Sequence, residues 1–520
     1  MRTEDKVKKK KKYTQIYLNT FFVFLLLLII QSGKWICEEW SNVDFATIVF
    51  QLRTPLRGTN SEIVFSYIKT CLLGTVKKTV LLMFIYYFFR KICERIQFSF
   101  SFNFFRLEWQ WQWKKSVYLW LSRVYIVALL LFLVQEIYGV ATDLGTFEYI
   151  KSLNMKSHIF EDNYINPSDV SIQFPEEKRN LVLIYLESME DTYASEKVGG
   201  GKPVNYIPEL TQLAQSNINF SASNMLGGGF TCYGTGFTVG AIVGTSTGVP
   251  FLSPVEGNSM NKYAEFLPGI TSLGEILQNE GYKNYFLCGS DASFGGRDLF
   301  YKKHGNYDIH DYYYAIEQGY IEEGYYVNWG YEDKKLYEIA KKELTELGKN
   351  GELFNYTMLT VDTHHPTGYT CELCGQEYDE MYANVVSCAS RQAGDFIAWI
   401  QEQDWYENTT VVVLGDHISM VVDFWDDIGE YQRGTFNCFI NIPREMNLNN
   451  VKNREFSTID YFPTILASLD VKIEGERLGL GTNLFSNRKT LMEEMGLAEY
   501  NTELSYYSDY YVENFEKVKK

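Results

Sequence analysis

Short apolar runs alternate with stretches of helical periodicity from about residue 180 onward. A short, uninterrupted apolar run is typical of a strand that is buried on both faces. Strands that alternate with helices predict an α/β domain, in which a mostly parallel central sheet is covered by helices on both faces. The predicted strands are Asn180–Leu186, Asn284–Cys288, Phe354–Val361, Thr410–Leu414 and Phe436–Ile440, and the predicted helices are Pro208–Ser216, Ile270–Asn279, Glu332–Leu347, Ala389–Gln401 and Ile459–Leu469.

The first 140 residues carry longer apolar runs. Ile16–Ile30 follows a lysine-rich start and, with its flanks, is long enough to cross a bilayer. Val80–Phe89 and Val117–Tyr138 are two further candidates, so the pattern predicts about three transmembrane helices. A cleaved signal peptide is the alternative for the first run, but no small-residue cleavage pattern follows it, which favours an anchor.

Basic residues predict the orientation of these helices, because cytoplasmic loops are rich in lysine and arginine. The Lys6–Lys12 tract and the Arg90–Lys115 loop are expected in the cytoplasm, which places everything after Tyr138 outside. Trp35–Gly74 is then also outside, and we expect it to lie on the membrane surface. The predicted division is a membrane domain at 1–140, a connector at 141–175, an extracytoplasmic catalytic domain at 176–490 and a C-terminal tail at 491–520.

Charge separates the two parts of the chain. The formal net charge of −17 is the balance of +11 over residues 1–142 and −28 over the remainder. This split predicts a basic, membrane-associated part and an acidic, soluble part in a multi-pass protein of the plasma membrane. The acidic part argues against nucleic acid as a partner, since nucleic-acid binding needs a basic surface.

A glycine-rich stretch, residues 227–250, precedes a small and apolar segment that suits a buried helix. If that helix begins at about Thr235, the hydroxyl lies among free backbone N–H groups that favour a phosphate. The same place suits a hydroxyl that acts as a nucleophile. The alternative is a glycine loop that only makes a tight turn.

Candidate ligands follow three of the predicted strands, at the sheet edge where ligands bind in such folds. Glu187 ends the first strand, Asp416 and His417 end another, and the run Asp362–Pro366 contains two histidines. Together with the Thr235 oxygen, Glu187, Asp416 and His417 would form a mixed oxygen and nitrogen site suited to Mn²⁺ or Zn²⁺. Each residue alone could be a loop or helix-terminal residue, but their coincidence favours a site.

These motifs resemble the alkaline phosphatase/sulfatase superfamily, and within it the lipoteichoic acid synthase and phosphoglycerol transferase family. The greatest similarity is to the phosphoglycerol transferases that modify periplasmic glucans, and it covers roughly residues 175–485. Besides the strand-end motifs, the resemblance is carried by Gly234–Thr238 with Gly248–Pro250, Pro254–Gly257, Lys303–Gly305, Asn328–Tyr331, Thr360–Pro366 and Val386–Cys388.

The resemblance implies a role for each site residue. Glu187, Asp416 and His417 would bind one divalent metal, Mn²⁺ by first choice with Zn²⁺ or Mg²⁺ as alternatives. Thr235 would be both nucleophile and metal ligand, and Thr238 is the second choice. The substrate would be held by His364 at its phosphate and by Arg297, together with Asp291, at its glycerol phosphate. The lipoteichoic acid synthases carry a tryptophan where this chain has Gly295, which puts the details of glycerol recognition in doubt.

The resemblance also implies an activity, the transfer of glycerol phosphate from phosphatidylglycerol to a glycan through a covalent intermediate on the threonine. A phosphoethanolamine transferase or phosphohydrolase of the same superfamily is one alternative. An inactive, membrane-anchored glycan-binding protein is another. Sulfatase activity is excluded by the motif, because Cys232–Gly236 lacks the Cys-x-Pro-x-Arg pattern that generates formylglycine.

Three of the nine cysteines, Cys371, Cys374 and Cys388, lie close together in the sequence. Outside the cytoplasm one pair could form a disulfide. Free thiols are the alternative, and the odd total leaves at least one cysteine unpaired. A zinc knuckle is less favoured, because no second Cys-x-x-Cys or histidine pair stands nearby.

Overall fold

The computed structural model describes residues 2–40, 43, 45, 47–49, 61–95, 99–104, 107–112, 115–252, 266–443 and 450–516. They belong to two compact units, Met1–Glu39 with Ser61–Phe147, and Trp40–Asn60 with Glu148–Lys520. The Pro254–Gly257 motif lies outside the described residues.

The smaller unit contains long apolar helices. They are Arg2–Glu39, then Ser61–Tyr67 continued by a π-helical segment Ile68–Leu72 and by Leu73–Arg95, and finally Lys115–Asp143. Three stretches are long and apolar enough to cross a membrane, namely Ile16–Glu39, Ile63–Phe88 and Arg123–Asp143. This agrees with the three runs predicted from the sequence and makes the chain a membrane protein by length and composition.

The second apolar stretch begins earlier than predicted, at Ile63. The prediction of a surface-lying Trp35–Gly74 is therefore wrong at both ends, since Trp35 lies in the first helix and Gly74 in the second. Between the second and third helices, β1 (Ser99–Phe104) and β2 (Leu107–Gln112) pair as an antiparallel hairpin.

The larger unit is built on a six-stranded sheet. Its strands are β4 (Asn180–Leu186), β5 (Lys283–Cys288), β6 (Asp308–His310), β7 (Phe354–Leu359), β8 (Thr409–Gly415) and β9 (Asn437–Ile440), and a short strand β3 (Ile172–Gln173) precedes them. The order across the sheet is β6-β5-β7-β4-β8-β9, and every pairing is parallel except that of β8 with β9. The predicted α/β fold with a mostly parallel sheet is confirmed. The short edge strand β6 was not predicted.

Both faces of the sheet are covered. In β4, Leu181, Leu183 and Tyr185 pack into one hydrophobic cluster, whereas Val182 and Ile184 pack into the other. Successive side chains of a strand point to opposite faces, so an unbroken apolar run is what a doubly covered strand requires.

The α-helices after the third apolar helix are Thr146–Ser152, Ile159–Asn163, Pro208–Ser216, Thr238–Thr247, Leu273–Asn279, Arg297–Lys303, Tyr312–Glu317, Asp333–Asn350, Met381–Gln401, Tyr461–Ser468, Leu491–Met495, Leu497–Ser505 and Asp509–Tyr511.

The C-terminal segment belongs to this core. Three further short strands, β10 (Lys472–Ile473), β11 (Arg477–Leu478) and β12 (Gly481–Thr482), precede it. Tyr500 and Phe515 are buried in the same cluster as the strands. The structure therefore differs from the predicted division, in which residues 491–520 were a separate tail, because the described part of that segment packs against the catalytic fold.

Candidate active site

Three neighbouring parallel strands deliver the predicted site residues to one edge of the sheet. β4 lies between β7 and β8, with Leu186 opposite Gly415 and Tyr185 opposite Leu359. The residues that follow these three strands therefore meet at the carboxyl edge, where ligands bind in open parallel sheets.

Glu187, Asp416 and His417 form a compact cluster there. One ligand atom from each lies within 4.8 Å of the others. His417 Nε2 is 3.5 Å from Glu187 Oε1 and 3.4 Å from Asp416 Oδ2. All three side chains are buried. Two carboxylates and an imidazole in this arrangement are a donor set for a divalent ion such as Mn²⁺ or Zn²⁺.

Hydrogen bonds orient these ligand atoms. Asp416 Oδ1 accepts from the backbone N–H groups of Ser188 and His417, each at 2.8 Å. Its other oxygen, Oδ2, is buried and has no hydrogen-bond partner among the described residues. His417 Nδ1 lies 2.8 Å from the Ile418 carbonyl oxygen, which fixes Nδ1 as the N–H and leaves the Nε2 lone pair facing the two acids. The residues present therefore fit the metal that the resemblance implies.

Burial and mutual repulsion shape the protonation of the cluster. Desolvation first, and the nearby Glu187 second, raise the pKa of Asp416 to about 7. Burial lowers the pKa of His417, but Asp416 and Glu187 outweigh it and raise that pKa above its usual value. Without a cation, Asp416 and His417 bind protons in the neutral pH range. A metal ion would displace these protons.

Metal affinity should therefore fall as the pH is lowered through about 7. Above that pH the Asp416 carboxyl is ionised and ready to bind, and below it protons on Asp416 and His417 compete with the metal. Equilibrium dialysis of the full chain with Mn²⁺, between about pH 8 and about pH 6, measures the effect. Circular dichroism in the same buffers checks that the fold persists. An affinity that stays constant over this interval contradicts the assignment.

The hydroxyl of Thr238, rather than that of Thr235, lies at this cluster. Thr238 Oγ1 lies 3.4 Å from Glu187 Oε2 and 3.5 Å from His417 Nε2. Thr238 is also partly accessible and is the first residue of its helix. The helix thus begins three residues later than predicted, and the structure brings the Thr238 oxygen, rather than the predicted Thr235 oxygen, to the acid and histidine cluster.

Thr235 is a structural residue of the preceding turn. Its side chain is fully buried, and its hydroxyl accepts from Cys232 N and donates to Cys232 O, each at 2.9 Å. A third bond comes from the Thr458 hydroxyl at 3.2 Å. Its methyl group faces Gly244, which lies six residues after Thr238 in the helix. Gly244 is therefore about 9 Å from the helix start along the axis.

The start of the Thr238 helix is open to a ligand. The preceding residue, Phe237, is extended and provides no side-chain cap for the first turn. The first backbone N–H groups of the helix therefore keep their hydrogen-bonding capacity and add the positive end of the helix dipole. This arrangement favours an anion beside Thr238.

Asp291 lies in the loop that follows β5, and Arg297 is the first residue of the next helix, Arg297–Lys303. Arg297 Nη2 donates to the Ser290 hydroxyl at 3.0 Å and to the Asp291 carbonyl oxygen at 2.8 Å, while Nη1 makes no hydrogen bond to any described residue. The Asp291 carboxylate accepts from Ser293 N at 2.9 Å, so it supports the loop. A Cβ at Gly295 would lie 2.6 Å from a methyl carbon of Val239, and the residue has a positive φ of 68°. This loop thus packs against the start of the Thr238 helix.

His364 has an aromatic neighbour that the sequence argument did not assign to the site. The Trp329 ring lies 4.5 Å from the His364 ring and 5.3 Å from that of Phe294, measured between centroids. Trp329 Nε1 is buried and has no partner among the described residues. The only sequence signal for Trp329 was its place in the Asn328–Tyr331 motif.

Desolvation lowers the pKa of His364 to about 4, although the residue is partly exposed. His364 is therefore neutral at physiological pH. Its Nδ1 lies 2.8 Å from the His365 carbonyl oxygen, so Nδ1 carries the N–H and Nε2 is free to accept a proton. His365 in turn accepts a hydrogen bond of 2.7 Å at Nε2 from the indole of Trp40, a residue of the same compact unit.

An ion pair connects the two loops that carry the candidate metal ligands. Arg433 donates to both carboxylate oxygens of the buried Glu190, through Nε at 2.9 Å and through Nη2. Arg433 Nη2 also donates to the Ser419 carbonyl oxygen at 2.8 Å, and the guanidinium stacks 3.5 Å above the Trp425 ring. Glu190 follows β4 and Ser419 follows β8, so the pair ties together the loops of Glu187 and His417.

Replacing Arg433 by methionine should lower the free energy of unfolding by about 3–5 kcal/mol, because the Glu190 carboxylate would stay buried without its cation. The thermal unfolding midpoint of the full chain in detergent measures the change. The double variant R433M/E190Q is the matched control, and it should recover much of the loss because no charge remains to be paired. Equal midpoints for wild type and R433M would refute the role of the pair.

A doubly covered parallel sheet with an acid, histidine and threonine cluster at its carboxyl edge defines a protein of the alkaline phosphatase/sulfatase type. A family model described as Sulfatase matches residues 179–471, more than half of the chain. The chain belongs to the sulfatase family.

Curated relatives named phosphoglycerol transferase I are similar to this chain. One from Escherichia coli O6:K15:H31 (strain 536 / UPEC) is 32% identical over 338 residues, which make up 63% of this chain and 41% of the relative. The relative from Shigella flexneri matches to the same extent. The chain thus matches about two fifths of the length of these relatives.

Two solved structures are also similar. The lipoteichoic acid synthase LtaP from Listeria monocytogenes is 20% identical, with a TM-score of 0.46 over 61% of this chain and 79% of that chain. The lipooligosaccharide phosphoethanolamine transferase A (EptA) from Neisseria meningitidis is 14% identical, with a TM-score of 0.47 over 88% of this chain and 85% of that chain.

Proposed function

We propose that this chain is a membrane-anchored, metal-dependent phosphoglycerol transferase, which moves glycerol phosphate from phosphatidylglycerol to a glycan. The observation that carries the proposal is the position of Thr238, whose partly accessible hydroxyl lies against Glu187 and His417 at the start of an uncapped helix. The 32% identity to proteins named phosphoglycerol transferase I supports glycerol phosphate as the group transferred.

Glu187, Asp416 and His417 would hold one divalent ion, Mn²⁺ by first choice. When bound, such an ion stabilises negative charge on phosphoryl oxygens and lowers the pKa of a hydroxyl. The protein supplies the rest of the anion site. The first N–H groups of the Thr238 helix and the unengaged Nη1 of Arg297 are the groups we assign to the phosphate. The resemblance places His364 at the phosphate too, but its Nε2 presents a lone pair, so we assign this residue to proton transfer instead. Trp329 Nε1 is a further donor for the head group.

The reaction has two displacement steps. In the first, a bond forms between Thr238 Oγ1 and phosphorus while the bond from phosphorus to diacylglycerol breaks. The proton leaves Thr238 towards Glu187 Oε2, its hydrogen-bond acceptor at 3.4 Å, and diacylglycerol departs as the alcohol after taking up a proton from water. In the second, a glycan hydroxyl attacks phosphorus while the bond from phosphorus to Thr238 Oγ1 breaks, and Thr238 takes its proton back from Glu187. The free Nε2 of His364 suits the group that accepts the proton of the glycan hydroxyl.

The three apolar helices would act as the anchor, with the lysine-rich start in the cytoplasm and the larger unit outside. This orientation follows the distribution of basic residues. A donor lipid of the outer leaflet then meets a tethered active site at high effective concentration.

Intact mass spectrometry of the full chain tests the proposal directly. After incubation with Mn²⁺ and phosphatidylglycerol, without acceptor, we expect a covalent adduct of one glycerophosphoryl group on Thr238. An adduct only with phosphatidylethanolamine would identify the chain as a phosphoethanolamine transferase instead. A folded chain that binds no metal and forms neither adduct would favour a glycan-binding protein without activity.

A further inference from the structure

Three thiols lie together at some distance along the chain from the catalytic cluster. Cys371 and Cys374 belong to the loop between β7 and the Met381–Gln401 helix, and Cys388 belongs to that helix. Cys371 Sγ is 3.7 Å from Cys374 Sγ and 3.8 Å from Cys388 Sγ. The three sulfurs all lie within 4.8 Å of one another.

These sulfur–sulfur distances match those of thiolates that bind one metal ion. Thiolates that bind Zn²⁺ tetrahedrally lie about 2.3 Å from the ion, which places neighbouring sulfurs about 3.8 Å apart. A disulfide requires about 2.05 Å and joins only two of the three sulfurs. The Met381–Gln401 helix supplies the third thiol that the Cys-x-x-Cys sequence pattern alone does not reveal.

The surroundings suit a bound ion. Cys371 and Cys388 are buried, whereas Cys374 is partly exposed, so one side of the cluster is open to solvent. Gln392 lies one helical turn after Cys388, and its Nε2 is 3.4 Å from Cys388 Sγ and 3.8 Å from Cys371 Sγ. An amide N–H that points at ligand sulfurs stabilises their thiolate form and orients them.

We propose that Cys371, Cys374 and Cys388 form a second metal site, which binds a soft divalent ion such as Zn²⁺ through three thiolates. Soft sulfur ligands select Zn²⁺ over the harder ions that suit carboxylates. Each thiol releases its proton to solvent on binding. Water fills the fourth position, on the side of Cys374.

The proposed ion would restrict the loop that carries His364 and His365. The strand β7 ends at Leu359 and the next helix begins at Met381, so a long irregular segment holds both His364 and His365. A crosslink from Cys371 and Cys374 to Cys388 would fix the far end of that segment to a buried helix. The site is thus structural, and its role is to limit the motion of the loop.

Cobalt substitution of the full chain in detergent, under reducing conditions, distinguishes this site from the catalytic one. Thiolate-to-cobalt charge-transfer absorption in the near ultraviolet reports sulfur ligands only. We expect the absorption in the wild-type chain and in D416N, which leaves the cysteines intact. The C388S variant should lose it, whereas the matched control C438S, which also alters a buried free thiol, should keep it. Q392L should bind cobalt at least about tenfold more weakly.

Thiol alkylation of the purified chain without reductant tests for a disulfide, which would contradict the proposed metal site. If the purified chain shows two of the three cysteines blocked until it is reduced, the cluster is a disulfide with one free thiol and the proposal is wrong. If the reduced wild-type chain, folded by circular dichroism, shows no charge-transfer absorption with cobalt or cadmium, the proposal is equally wrong. These two measurements use the wild-type chain, so they stand even if C388S fails to fold.

Discussion

The T238A variant is expected to lose transferase activity by about 10³-fold or more, because no other described hydroxyl takes the same place against Glu187 and His417. The loss should lie in kcat, and the glycerophosphoryl adduct should disappear from the mass spectrum. Metal content should change little, since the two carboxylates and the imidazole remain. Transfer assayed with phosphatidylglycerol and a glycan acceptor measures the rate.

Two control variants separate the nucleophile from its neighbour. T238S keeps the hydroxyl and should retain measurable turnover and the adduct. T235A removes two hydrogen bonds to the Cys232 backbone and one from the Thr458 hydroxyl, so it should lower stability by about 1–3 kcal/mol and still form the adduct on Thr238. If T235A stays folded and loses the adduct while T238A keeps it, the assignment of the two threonines is reversed.

Substitution of Asp416 by asparagine is expected to weaken metal binding at least about 100-fold and to remove turnover with it. Asparagine keeps an oxygen for the Ser188 and His417 N–H groups but not the charge. Above about pH 7 the buried Asp416 carboxylate of the metal-free wild type is ionised, which lowers its free energy of unfolding. The metal-free D416N chain should therefore be at least as stable as the metal-free wild type at such pH values. That sign follows from the raised pKa, since burial penalises the charged form.

The matched control is D423N, which removes an exposed carboxylate from the same loop region. It should leave metal content and thermal stability unchanged. Metal analysis of both variants, purified without chelators, compares them directly. A D416N chain that holds as much metal as D423N would show that the cluster is not the metal site.

The sheet could be predicted because its strands are buried on both faces. β4, β7 and β8 are wholly buried, so apolar residues predominate on both of their faces, and polar residues follow where they end. Glu187, Asp416 and His417 were found for the same reason. The strand β6 was missed because it has only three residues at the edge of the sheet, too few for a recognisable pattern.

The choice between Thr235 and Thr238 could not be made from spacing. The two threonines are only three residues apart in the same glycine-rich stretch, and the helix start is decided by packing. A Cβ at Gly240 would lie 2.4 Å from the Gly234 carbonyl oxygen, so the turn sits directly on the helix at that glycine. Thr235 is thereby turned into the core, and Thr238 becomes the first helical residue facing the cluster.

Aromatic neighbours of the catalytic loop were beyond sequence reasoning for another reason. Trp329 and Trp40 reach the histidines from loops that are distant in the chain, and neither carries a periodic pattern. Such long-range contacts depend on the completed fold, whereas strands and helices leave local signals.

The hydrogen bond from Trp40 to His365 bears on how this enzyme is dissected. Trp40 directly follows the first apolar helix, whereas the rest of its compact unit begins at Glu148. A soluble fragment cut from the chain after the third helix would keep the metal ligands and Thr238. It would leave His365 Nε2 without its indole donor, next to the histidine assigned to proton transfer. Kinetics measured on such a fragment would therefore describe an active site that lacks one of its native contacts.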